Sequence, residues 1–141
     1  MLEDRTREEV ALSIVIAVRD PEHAAPISRL YEEYKEQFDG LGRPYEFIFA
    51  VEGNAPDVVD ELRRLSEDGE PVTTLVFSEW YGGATVLSAA FDHASGDIVV
   101  TLPAYHQIDP QSLPSLFPPL EENDMVVELR QPRTVGIATR V

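Results

Sequence analysis

LSIVIAV, residues 12–18, is a near-continuous run of β-branched and aliphatic residues. It lacks the polar alternation of a half-exposed strand, so both of its faces must be covered, as in an inner strand of a parallel sheet. Working outward, Ile27, Leu30, Tyr31, Tyr34 and Phe38 recur at three- and four-residue spacing and predict a helix after Pro21, closed by Gly40 and Gly42. YEFIFAV, residues 45–51, is a second apolar strand. Asn54 and Pro56 mark a helix start, with Val58, Val59, Leu62 and Leu65 on one face and Gly69 at its end. VTTLVF (72–77) predicts a third strand, and Gly82-Gly83 opens a helix whose apolar face is Val86, Leu87, Ala90, Phe91 and Ala94, terminated by Gly96. IVVTL (98–102) is a fourth strand. Pro103, Pro110, Pro114, Pro118 and Pro119 forbid a long helix beyond it, although Asp109-Pro110 suits the cap of a short one. MVVEL (125–129) predicts a fifth strand.

Strands alternating with helices define an α/β domain: a mainly parallel sheet covered on both faces by right-handed crossovers. The 141 residues suffice for one core. Residues 1–10 are expected to form a flexible tail, and the C-terminal stretch from Gln131 has no clear pattern. With 26 acidic against 11 basic residues the net charge is −15, which disfavours nucleic acid and anionic lipid surfaces as partners. There is no cysteine, so disulfides and thiolate metal sites are excluded. The N-terminus has no apolar signal core, and no apolar run approaches the ~20 residues needed to cross a bilayer. A cytoplasmic location is the expectation, with oligomeric state open.

In such a sheet, ligands bind beyond the carboxyl ends of the strands, where strand order reverses. The loops concerned are Arg19-Asp20-Pro21, Glu52-Gly53-Asn54, Ser78 to Gly83, and Pro103 to Asp109. No P-loop string and no G-x-S-x-G elbow occurs, and Gly40-Leu41-Gly42 lies after a helix instead of after a strand. Gly82-Gly83 does open a helix, where free N–H groups can receive an anion, though a tight entry turn is the default reading of the pair. None of His23, His93 and His106 has a partner at metal-ligand helical spacing. His106 is the one in a ligand-facing loop. Most carboxylates, such as Glu32-Glu33, form charge runs on solvated faces; Glu52, ending a buried strand, is the candidate for ligand contact. Trp80, Tyr81 and Tyr105 would place three aromatics near this rim.

Three segments in succession, LSIVIAVRDP (12–21), YEFIFAVEGNAPD (45–57) and VFSEWYGGATVLSAAFDHASGDIVVTLPAYHQIDP (76–110), resemble the blocks of family 2 glycosyltransferases. The likeness is to the branch that makes polyprenyl-phosphate sugars. It implies a GT-A fold, a nucleotide-sugar over the strand ends, and transfer of a hexose to a lipid-phosphate or similar acceptor. Carried over onto this sequence, the donor-binding positions are Ala17, Arg19, Asp20, Glu52, Gly83, Ala104, Tyr105 and Gln107. The family holds the donor diphosphate through Mg²⁺ or Mn²⁺ on a loop reading approximately D-A-D-L-Q. Here the aligned letters are Pro103-Ala104-Tyr105-His106-Gln107, so both aspartates are replaced and no metal ligand is assigned. The paired aspartates after the second strand become Val51 and Glu52. The region that positions the acceptor in such enzymes is expected to be absent or truncated. Arg19 is a candidate metal-free cation for the diphosphate. A catalytically inactive relative that uses the rim for protein interaction is the alternative.

Overall fold

The computed structural model describes residues 10–21, 24 and 26–127. Residues 1–9 of the expected N-terminal tail (1–10), His23 and the stretch from 128 onward lie outside the described residues.

The apolar runs form four strands: β1 (Leu12–Val18), β2 (Tyr45–Glu52), β3 (Val72–Phe77) and β4 (Ile98–Pro103). They make one sheet in the order β3-β2-β1-β4, with every pairing parallel. The first strand in sequence therefore lies inside the sheet, and all of β1 except the partly buried Ala17 is inaccessible to solvent. Its ladder sets Ala17 beside Ala50 and Pro103, so the ends of β1, β2 and β4 are level.

Helix α1 (Ile27–Leu41) turns Ile27, Leu30, Tyr31, Tyr34 and Phe38 onto one face of the sheet. Helix α2 (Pro56–Glu67) adds Leu62 on the same side. Helix α3 (Gly83–His93) covers the opposite face with Val86 and Ala90, which pack on Val15, Ile48 and Ala50. One face thus holds the larger core, rich in aromatics: Phe47 meets Tyr31 and Phe38 edge-on at centroid distances of 4.9 and 5.9 Å. After β4 the proline-rich stretch forms a 3-10 helix (Pro110–Leu116) and a single turn, α4 (Phe117–Leu120), whose Leu113 and Phe117 join that core. Asp109 caps the 3-10 helix through Gln111 N–H at 3.0 Å, as its sequence suggests.

At the amino ends of the strands a buried polar cluster stitches the sheet. Ser13 Oγ donates to Glu46 at 2.8 Å, and Ser95 donates to the same carboxylate oxygen through its N–H and hydroxyl, each at 2.8 Å. Gly96 N–H in turn donates to Ser13 Oγ at 2.8 Å. A Cβ on Gly96 would lie 2.8 Å from the Leu12 carbonyl carbon and the Ser13 nitrogen, so only glycine lets the α3–β4 turn approach β1 this closely.

The structure corrects several expectations. Met125–Val127 are not in a strand: Met125 and Val127 are 78% and 70% exposed, and the sheet among the described residues ends at β4. An apolar triplet becomes a strand only when an edge receives it, and here its side chains line a groove beside β4 instead. Phe91, placed on the buried face of α3, is 45% exposed and lines the groove along β4, the edge of the sheet among the described residues. Helix α1 also runs through Gly40, and Gly42 alone ends it in the left-handed conformation. Ala55, not Asn54, occupies the cap position of α2, with Pro56 in its first turn.

Candidate functional site at the strand ends

Because all four strands are parallel, the loops after β1, β2, β3 and β4 emerge at one end of the sheet. Order reverses between β1 and β4: the chain leaves β1 toward β2 over one face and reaches β4 over the other. That reversal opens the crevice in which sheets of this kind bind ligands.

Beside that crevice, Glu52 organises the ends of β1, β2 and β3. It closes β2, is fully buried, and both carboxylate oxygens are engaged. Oε1 accepts from the Tyr81 and Gly82 N–H groups at 2.7 and 2.9 Å. Oε2 faces Arg19 Nε at 3.4 Å. Burial alone would push this carboxyl up, but the N–H groups of Gly82 and Tyr81 and the Arg19 guanidinium outweigh it, and its pKa ends below the ordinary carboxylate value. The two turn N–H groups that an anion might have used therefore serve an internal anion. Arg19 itself is 55% exposed, and its Nη1 lies against the Gly83 Cα, where an added Cβ would be only 3.0 Å away.

The β3–α3 turn carries the aromatics. Trp80 lays its ring edge over Gly53, where a Cβ would meet the ring at 3.1 Å, and stays 64% exposed. Gly53 combines that contact with a φ of +88° and donates its N–H to the Phe77 carbonyl at 2.9 Å, joining the ends of β2 and β3. Tyr81 is 51% exposed and meets Phe77 edge-on at 6.0 Å.

The β4 loop is tied down from α1. Buried Tyr34 donates its hydroxyl to the Pro103 carbonyl at 2.9 Å; burial first, and Glu33 second, push its pKa up to about 12, so it stays a donor. His106 Nδ1 lies 3.3 Å from Glu33. Neither tie is legible in sequence: Tyr34 reads as core, and Glu33 as one of a solvated pair. Of the other positions carried over by resemblance, Ala17 is partly buried against the α3-side core, Asp20 and Gln107 are exposed, Tyr105 is half-buried and Ala104 is fully buried. Ala104 packs into the α1-side core beneath the loop. His93 bonds the Ala89 carbonyl on its own helix at 2.9 Å, and Asp92 and Asp97 are exposed nearby.

The family's divalent ion needs several oxygen donors, preferably charged. Pro103 has none on its side chain and its carbonyl is occupied by Tyr34, while Tyr105 offers a neutral phenol. Among the described residues, no three His, Cys, Asp or Glu side chains converge. The residues of this loop do not fit the ion. A separate groove of about 550 Å³ runs along β4, lined by Phe91, Val99, Ile108, Leu113, Met125 and Val127 among others. It lies on the sheet edge. No helix among the described residues is long and apolar enough to cross a membrane.

A parallel, doubly covered sheet with polar and aromatic residues gathered at its carboxyl ends defines a Rossmann-like α/β class of domain. Residues 13–140 match the model of glycosyl transferase family 2, and the chain belongs to that family. It is 30% identical over 128 residues to an undecaprenyl-phosphate 4-deoxy-4-formamido-L-arabinose transferase of Klebsiella pneumoniae, covering 89% of this chain and 38% of that protein. Proteins of the same description from Serratia proteamaculans and Edwardsiella ictaluri are 32% and 28% identical, covering 82% and 86% of this chain and 35% and 38% of theirs. The chain thus spans little more than a third of the length of these curated relatives.

Proposed function

We propose that this domain binds a nucleotide-sugar across its strand ends and forms the donor half of a transferase that passes a glycosyl group to a lipid-phosphate acceptor. The observation that carries the reading is the convergence of Arg19, Glu52 and the Trp80–Gly83 turn at the carboxyl ends of β1, β2 and β3 in a family 2 domain. The names of the relatives support a polyprenyl-phosphate acceptor, and because they specify an arabinose derivative, the transferred sugar is not restricted to a hexose.

In this reading Arg19 faces the diphosphate, and Asp20, Gly83, Tyr105 and Gln107 border the donor. Ala17 shapes the floor, and the buried Ala104 supports it from beneath. Charge building on a leaving diphosphate must be stabilised for transfer to proceed. With the aspartates replaced, Arg19 is the charge available for that task in the β1 loop. Calorimetric titration with nucleoside diphosphates and their sugars, with and without Mn²⁺, tests the donor site. Heat of binding with at least one is expected; none with any would remove it.

The exposed Trp80 and Tyr81 favour one second reading, in which the rim docks a protein partner and chemistry is lost, since exposed aromatics are common interface anchors. Tight sugar-nucleotide binding without a captured partner would decide for the donor site.

A further inference from the structure

Resting on the donor-site reading, we infer that Glu52 is a positioning residue, an internal anion that holds Arg19 and the Trp80–Gly82 turn as the two halves of one metal-independent nucleoside-diphosphate subsite. Oε2 takes Arg19 Nε, which leaves the Nη side of the guanidinium for phosphate oxygens. Oε1 takes the N–H groups of Tyr81 and Gly82, which fixes the turn carrying Trp80. Gly53 lets the indole lie low over the end of β2 while most of the ring stays open to solvent. A cation and an open aromatic face, both indexed to one buried carboxylate, suit an anionic ligand with a planar ring: Arg19 for the diphosphate and Trp80 for the base. Fully buried, with both oxygens engaged inside the protein, Glu52 acts through the groups it holds instead of touching the ligand.

The chain has a single tryptophan, so its emission reports on this turn directly. The test titrates ADP, CDP, GDP and UDP, and the nucleoside of the best binder, in EDTA and then in Mn²⁺, by calorimetry and by Trp80 emission. Wild type is expected to bind one diphosphate in EDTA and to quench Trp80. Glu52→Gln keeps an oxygen for the two N–H groups but turns an amide toward Arg19. It should weaken the diphosphate about tenfold, while nucleoside affinity and quenching stay within about twofold. Arg19→Ala should reproduce that loss, and the double variant should lose no more than Arg19→Ala alone. Trp80→Ala should weaken nucleoside and diphosphate alike, about tenfold each.

Should Glu52→Gln fail to fold, the exposed Arg19 and Trp80 variants carry the test, Arg19→Ala weakening the diphosphate alone and Trp80→Ala weakening diphosphate and nucleoside alike. Binding that requires Mn²⁺, or that ignores these variants, overturns this inference and spares the donor site. So does an equal loss of nucleoside and diphosphate in Glu52→Gln. Binding of no nucleotide in either condition overturns both.

Discussion

At the residue scale the clearest constraint is Gly96. Its neighbours are main-chain atoms of a central strand, which cannot yield as a flexible side chain can. Gly96→Ala should therefore cost about 2–3 kcal/mol, measured by urea denaturation, with the loss carried by separation of the α3–β4 turn from β1. An alanine as stable as wild type would mean that the turn does not approach β1 this closely. Glu52 shows what a sequence yields about a single side chain and what it withholds. Its address was legible, because a carboxylate that ends a buried run in an α/β pattern must sit at the strand ends. Its partners were not, since the Tyr81 and Gly82 amides return to it from 29 and 30 residues away, and no local spacing encodes that. The same limit hid Tyr34, whose helical periodicity marks it as buried but is silent about the hydroxyl at its tip.

At the scale of elements, two clasps hold α1 to its surroundings. Glu70, just before β3, receives Lys35 Nζ at 2.6 Å and the Tyr31 hydroxyl at 2.9 Å. The Lys35 bond, opposed by burial and aided by Tyr31, holds the Glu70 carboxyl below its ordinary value of 4.5. A carboxyl lowered on folding contributes stability that is complete above the unfolded value and disappears as pH falls through the folded one. Glu70→Gln should thus cost about 1–2 kcal/mol at neutral pH, and its melting temperature should converge with wild type in acid. A constant gap across that range would refute the assignment. The second clasp is Tyr34 on the Pro103 carbonyl, and Tyr34→Phe should cost about 1–2 kcal/mol in the same denaturation assay, because a buried acceptor loses its donor. Element types were read well where a long apolar period existed, as in β1, β2, α1 and α2. Reading failed at 125–127, where three apolar residues give no period and only the neighbouring edge decides their conformation.

For the whole molecule the excess of acid dominates. A net charge of −15 on one small domain repels itself, and the few surface ion pairs, such as Arg29–Glu33 and Arg63–Asp60, are exposed and weakly worth having. Screening should relieve that repulsion, so raising NaCl from about 10 to about 200 mM should raise the melting temperature by a few degrees, followed by circular dichroism. A fall would show that the ion pairs outweigh the net repulsion. The order of the strands carries one more consequence. Of the four strands β1 is synthesised before the others, yet it ends between a partner one helix away and another three helices away. The nascent chain can close β1, β2 and β3 with α1 and α2 into a half-barrier against solvent while α3 and β4 are still being made. Synthesis thus builds the α1 and α2 side of the sheet first, and the crevice between β1 and β4 comes into being only when β4 arrives.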